Sequence, residues 1–195
     1  NAIYLNQTPP VEHKEKFKQI GDLLDLKSFQ SGQNILDIGC AAGELLYYIR
    51  SVNAEVGLLG VDFSDELIQN ASANIGKYSI KFEVGDANNL NNISDDSFDA
   101  VTTSGVTYIF DDFRPSFDEM IRVSKNGGKC VNQILLNELD VDVIIRYINK
   151  KTGKQEAGWN KFALETVKSY LLSKPEVQNL KFEKLYMPFD IDQNP

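Results

Sequence analysis

The chain has 195 residues, 42% hydrophobic and 25% charged, with a formal net charge of −8, proportions of an ordinary globular protein that fits one domain. No apolar stretch approaches the roughly 20 residues of a membrane span, no signal peptide stands at the front, and the acidic balance repels nucleic acid and acidic membranes on average. Two cysteines, Cys40 and Cys130, are too few for a disulfide scaffold, so a reduced cytoplasmic compartment is expected.

In chain order, Phe17, Ile20, Leu23 and Leu24 recur at helical spacing from about Glu12 to Leu26. The lysines of that stretch (Lys14, Lys16, Lys18) read as a solvated helix face. A buried-strand pattern follows at Asn34–Ile38, then a helix opening near Gly43 with Leu45, Leu46 and Ile49 on one face. The spacing predicts a second strand over Val56–Val61, ending at Asp62, and Ser64 is a suitable N-cap for the helix that carries Leu67, Ile68 and Ala71. Strand three reads as Ile80–Val84 and strand four as Phe98–Thr103; Pro115 suits the first turn of the next helix, where its missing N–H costs nothing. Gly127-Gly128 is expected to turn the chain into strand five, Lys129–Leu135. A long polar and aromatic stretch precedes a helix near Leu164–Leu172 and a sixth strand at Phe182–Met187.

Five strands alternating with helices mean right-handed crossovers and a doubly wound α/β fold, a Rossmann-like parallel sheet covered on both faces. Ligands of such sheets sit beyond the carboxyl ends of the strands. The acids and small residues of this sequence fall at those ends. Strand one runs into Asp37, Gly39, Cys40, Ala41 and Gly43; strand two into Asp62; strand three into Gly85-Asp86-Ala87; strand four into Ser104-Gly105. Each has an ordinary reading as a cap or a turn, but together they outline a nucleoside site: Asp62 can accept both hydroxyls of a ribose, and Asp86 can accept an exocyclic amine.

The turn "ILDIGCAAGELL" carries Asp37 on one side and Glu44 on the other, which disfavours a pyrophosphate. It suits an adenosyl ligand with no phosphate and positive charge. "ILDIGCAAGELL", "LLGVDFSDELIQNA", "KFEVGDANNL" and "DDSFDAVTTSGVTYIF" followed by "KNGGK" resemble the class I S-adenosylmethionine-dependent methyltransferases, in particular the small bacterial single-domain enzymes acting on sugars and metabolites. The resemblance implies S-adenosyl-L-methionine as cofactor, S-adenosyl-L-homocysteine as product, and cofactor contacts from Asp37, Gly39, Cys40, Ala41, Asp62, Phe63 (on the adenine), Asp86, Ala87 and Ser104. Ala41 stands where many members have a glycine. The family's final antiparallel strand is missing, so a chain continuing past Pro195 is expected.

The expected organisation is one domain over residues 1–195, with a lid helix in 1–30, a cofactor core in 34–135 and an acceptor-binding insertion in 136–175. The stretch from Asn132 to the late helix, which contains that insertion, holds Asn132, Gln133, Arg146, Tyr147, Trp159 and Asn160, a set suited to a sugar or other polyhydroxylated acceptor. His13, the only histidine, and Tyr108 are the candidate catalytic residues, with Tyr4 in the same lid. No metal site is expected; Asp111-Asp112 reads as a helix start. The expected partner is a small-molecule acceptor, a sugar or nucleotide-sugar of surface-polysaccharide synthesis, with no nucleic acid and no membrane span. The sequence sets no oligomeric state. Alternatives are N-methylation of a small metabolite and a non-catalytic cofactor scaffold. A nucleic-acid N-methyltransferase is disfavoured by the lack of an Asn/Asp-Pro-Pro-aromatic segment after strand four, and a nicotinamide oxidoreductase by the acid before the glycines.

Overall fold

The computed structural model describes residues 13–185. Five strands form the central sheet: β1 (Asn34–Ile38), β2 (Gly57–Asp62), β3 (Ile80–Val84), β4 (Phe98–Ser104) and β5 (Ser124–Gln133), in spatial order β3-β2-β1-β4-β5. All four pairings are parallel. The strand order reverses between β1 and β4, and this reversal leaves a crevice at the carboxyl edge. Register brings the strand ends level there: Ile38 pairs with both Val61 and Thr103, Asp62 with Val84, and Ser104 with Gln133.

The helices are α1 (Glu15–Leu24), α2 (Glu44–Val52), α3 (Asp65–Ile75), α4 (Arg114–Val123) and α5 (Leu164–Leu172). Each buries one stripe: Phe17, Ile20 and Leu24 on α1, Leu45, Leu46 and Ile49 on α2, Val167 and Leu171 on α5. Two apolar clusters result, one on each face of the sheet. The first joins α1, α2 and α3 to Ile35, Leu58 and Ile80; the second joins α4 and α5 to Leu36, Val61 and Val101. Ser64 caps α3 through a hydrogen bond from the Leu67 N–H, and Pro115 occupies the first turn of α4.

Two expectations fail. Gly127-Gly128 does not start a strand. It lies in a bulge inside β5, where the four residues between Ser124 and Lys129 oppose the single residue between Phe98 and Ala100 of β4, and Gly127 turns with φ +78°. β5 therefore follows α4 without a loop and ends at Gln133, short of Leu135. Residues Phe182–Leu185 of the expected sixth strand have no ladder partners, and Tyr186 and Met187 lie outside the described residues, as does Tyr4. Between β5 and α5 the chain makes short strands instead: β6 (Leu136–Asn137) pairs parallel with β9 (Phe162–Ala163), and β7 (Arg146–Ile148) pairs antiparallel with β8 (Gln155–Ala157). Among the described residues no helix is long and apolar enough to cross a membrane.

Candidate active site

At the crevice beyond β1, β2 and β3 lies a cleft of about 300 Å³, lined by Gly39, Asp62, Phe63 and the Gly85–Asn88 loop on one side and by Val106, Ile109 and Phe110 on the other. Its floor is the glycine turn after β1. Gly39 takes φ +73°, and a Cβ there would stand 2.1 Å from Val106 Cγ2, so only glycine fits. The Gly39 and Cys40 N–H groups both bond to the Val61 carbonyl, at 2.7 and 3.0 Å, fastening the turn to β2. Ala41 has a left-handed φ of +48°, a conformation glycine adopts without cost. Its N–H donates to Asp62 Oδ2 at 2.9 Å, while Ser64 N–H donates to Oδ1 at 2.9 Å. The Asp62 carboxylate is thus held rigid from two sides, with lone pairs left for a ligand in the cleft.

Phe63 follows with 80% of its surface exposed, although it lines the cleft. An aromatic face left bare inside a pocket is suited to a stacking ring. Asp86 accepts from the Asn88 N–H at 2.9 Å, which fixes the loop after β3. Arg122 braces that loop from below by donating to the carbonyls of Leu90 (3.0 Å) and Ile93 (2.9 Å), and Glu119 accepts the Leu90 N–H. The brace keeps Asp86 and the buried Ala87 at the cleft wall.

Behind the turn sits Asp37, 3% exposed, with one carboxylate oxygen 2.9 Å from Thr102 Oγ1. Burial raises its pKa to about 7, against the opposing effects of the Thr102 hydrogen bond and the Lys16 charge. Thr102 Oγ1 is also 3.2 Å from the Leu36 carbonyl. One hydroxyl proton cannot serve both, whereas a protonated Asp37 can donate to Thr102 while Thr102 donates to Leu36. The hydrogen bonds therefore fit the neutral acid.

Lys16 is the residue sequence reading missed. It does not lie on a solvated face: its ammonium reaches over the sheet edge to Ser104 Oγ at 3.3 Å, and Ser104 in turn donates to Gln133 Oε1 at 2.9 Å. Burial first, and then the Lys14 charge, hold its pKa below the usual range, while Glu44 and Asp37 pull the other way. The spacing does not single it out: Lys14 stands three residues before buried Phe17, Lys16 four before buried Ile20 and Lys18 three before buried Gly21, so the packing of the helix decides which lysine reaches the sheet edge. The fold also revises the charge of the rim. Glu44 is ion-paired with Lys14, so its carboxylate is not a bare rim charge.

Of the other candidates, Cys40 is buried beneath the turn and its thiol pKa is pushed well up by burial, which makes it unreactive. Tyr108, in a short 3₁₀ turn (Thr107–Ile109), folds its ring over Gly105: a Cβ on that glycine would lie 3.2 Å from the phenol oxygen. His13 is not brought to the cleft. It packs against Tyr47 and Tyr48 on the flank of α2, with Nε2 3.3 Å from Ser51 Oγ, a position that serves packing and not proton transfer at the cleft. Among the described residues no group of three or more His, Cys, Asp or Glu could hold a metal ion.

The cleft joins a carboxylate held from two sides, a bare aromatic face and a second acid after β3, all above a glycine turn. Its residues fit an adenosyl ligand with a zwitterionic tail, the methyl donor of class I methyltransferases. The chain belongs to the methyltransferase-domain family, whose model matches residues 29–181, and S-adenosyl-L-methionine is its methyl donor. A tRNA (guanine-N(7)-)-methyltransferase of Prochlorococcus marinus (strain MIT 9215) is 43% identical over 60 residues, 29% of each chain. Phosphoethanolamine N-methyltransferase 3 of Arabidopsis thaliana is 33% identical over 119 residues, 60% of this chain and 23% of that protein. This chain thus spans less than a third of either relative. The fold is shared with the PH0226 protein of Pyrococcus horikoshii OT3 (TM-score 0.59, 18% identity, 87% of both chains).

Proposed function

We propose that this methyltransferase acts on a small acceptor bound beside Tyr108 and Trp159, with a sugar hydroxyl as the preferred nucleophile. One observation carries the acceptor reading. Trp159 is 61% exposed, yet it is stacked on Tyr108 with ring centroids 5.7 Å apart and planes 26° apart. It is held at a left-handed φ of +61°, which costs a non-glycine residue about 1 kcal/mol or more. The neighbour that fixes it is Asn160, completely buried, whose side chain accepts from Ile145 N–H at 2.8 Å and donates to the Phe110 carbonyl at 2.7 Å, while its N–H bonds to the Tyr108 carbonyl. The result is an aromatic ledge clamped to the lip that Ile109 and Phe110 form over the cleft, and a sugar ring packs its C–H face on such a ledge.

S-adenosyl-L-methionine supplies a methyl group already activated on a sulfonium. In this reading Asp62 holds the ribose hydroxyls, Phe63 covers the adenine, Asp86 accepts its amine, Lys16 pairs with the tail carboxylate and Asp37 faces the tail ammonium. Bound there, the cofactor would supply the methyl for in-line transfer to the acceptor oxygen, the C–S electron pair remaining on sulfur and the acceptor's proton passing to water at the open lip. The chain's contribution is placement of the two reactants at attack distance.

The test is transfer of labelled methyl to a panel of sugars and nucleotide-sugars, with small amines and tRNA as competing arms. Trp159→Ala is expected to raise the KM of the methylated sugar about 10-fold and to leave cofactor affinity within 2-fold; label on the amine or tRNA alone overturns the sugar reading. The phosphoethanolamine relative favours the amine arm as the second reading. A distinct expectation concerns Lys16→Met. It should weaken S-adenosylhomocysteine binding about 10-fold, the worth of one partly screened ion pair, without weakening adenosine, which has no carboxylate. Equal loss for both in calorimetry would reduce Lys16 to a structural role.

A further inference from the structure

Among the described residues, the segment between β5 and α5 holds eight of the fourteen exposed large hydrophobic side chains. Leu139 (71% exposed), Val141, Ile144 and Ile148 (59%) lie within it, together with half-exposed Val143 and Ile145. The hydrogen bonds show its shape. Val143 bridges Lys161, Ile145 N–H meets Asn160, and Arg146, Tyr147 and Ile148 pair with Ala157, Glu156 and Gln155. This is a two-stranded arm that ends in a turn over residues 149–154, closed by the Asn149 N–H on the Lys154 carbonyl (2.9 Å) and by Asn149 Oδ1, which accepts from the Lys151 and Thr152 N–H groups. A lone two-stranded ribbon with bare Ile and Leu is marginal in water and is a liability unless something covers it.

The charge on the arm says what that something is. In a chain of net charge −8, the turn carries Lys150, Lys151 and Lys154, all exposed. At the root, Glu138 pairs with Lys184 and Asp142 accepts the Ala163 N–H; Glu156, which accepts from Asn149, is the one acid beside the turn and leaves the three lysines in excess there. Asp140 lies at the root, at the end opposite the lysines. Screening at physiological salt acts over about 8 Å, so the tip presents its own positive charge and not the average of the chain. Apolar side chains behind a cationic tip match the boundary between acyl chains and anionic headgroups.

We propose that the arm over residues 139–154 docks the protein on an anionic lipid bilayer surface, with the tip lysines at the headgroups and Leu139, Ile144 and Ile148 against the acyl boundary. Arg146 ties the arm to Asp111 at 2.8 Å, next to Phe110 of the cleft lip, so docking turns the cleft toward that surface.

The experiment is co-sedimentation of the full chain with vesicles of phosphatidylcholine containing about one third phosphatidylglycerol, against pure phosphatidylcholine. Binding at least 10-fold tighter to the anionic vesicles, weakened by salt, is expected. The triple variant Lys150→Gln/Lys151→Gln/Lys154→Gln should lose about 100-fold, since each cation near such a surface is worth roughly 5-fold. Leu139→Ser/Ile148→Ser should lose at least 10-fold at unchanged charge. All five positions are exposed, and unaltered circular dichroism and cofactor affinity verify that the variants fold. Equal binding to both vesicles, or variants that bind like the parent, overturns the proposal. So does a concentration-dependent dimer abolished by Leu139→Ser/Ile148→Ser, which would make a second copy the occupant. The readout is lipid binding alone, so it stands apart from the acceptor reading.

Discussion

Asp62→Ala is expected to weaken S-adenosylmethionine binding about 100-fold or more and to lower the melting temperature by about 5 °C. The first effect follows from the ligand. A hydrogen bond to a charged acceptor is worth about 1.5–3 kcal/mol, and two ribose hydroxyls lose theirs together. The second follows from the protein, because the same carboxylate accepts the Ala41 N–H and the Ser64 N–H, at 2.9 Å each. Alanine strands both donors, one of them in a residue already at φ +48°. Asp62→Asn separates the contributions: its amide oxygen can keep one backbone donor, so stability should recover more than affinity. Calorimetric titration with S-adenosylhomocysteine and a thermal melt of each variant check this. Affinity within 5-fold of the parent for Asp62→Ala would remove Asp62 from the ribose site and with it the assignment of the cleft.

The inner strands were legible because each announces itself twice, by a buried apolar run and by a small or acidic residue where the run stops. Asn34–Ile38, buried from Ile35 onward and stopping at Gly39, shows this, as does Phe98–Ser104 before Gly105. The β5 start was misread because Gly127-Gly128 looks the same in a turn and in a bulge; only the pairing of Phe98 with Ser124 tells them apart, and pairing is non-local. The small strands between β5 and α5 escaped for a related reason. At two or three residues they are too short for any period to register, and tertiary bonds such as those of Asn160 define them.

Site residues divide along the same line. Asp62, Phe63, Asp86 and Ala87 follow strand ends, and topology alone delivers them to the cleft. Lys16 rides on α1, whose rotation about its axis decides which side chain reaches the sheet edge, and His13 lies just before that helix. Reading the lysines as one charged run hid that rotation, and the uniqueness of His13 in the sequence was mistaken for a reason to place it at the chemistry.

Asp37→Asn is expected to stabilise the unliganded protein and to weaken cofactor binding above neutral pH. Burial raises the Asp37 carboxyl from its ordinary value of 3.8 to about 7. A group raised in this way leaves stability untouched below about pH 4, where it is neutral folded and unfolded; stability erodes from there up to about pH 7, where the unfolded chain has given up the proton that the folded state still holds, and the loss is complete above 7. Three pKa units correspond to about 4 kcal/mol at the upper limit, which the asparagine removes, so its melting temperature should exceed the parent's at pH 8 and approach it near pH 4.5. Binding runs the opposite way. A cationic ligand tail near Asp37 favours the carboxylate, so the parent should release up to one proton on binding near pH 6.5, and its affinity should rise as pH increases toward 8. The asparagine variant should release correspondingly less and lose the part of the pH dependence that Asp37 contributes. Titration calorimetry in two buffers of different ionisation enthalpy counts the protons directly. Identical counts for parent and variant would show that Asp37 keeps its protonation state when the cofactor binds, and that the recess behind the glycine turn takes no part in recognising the ligand's charge.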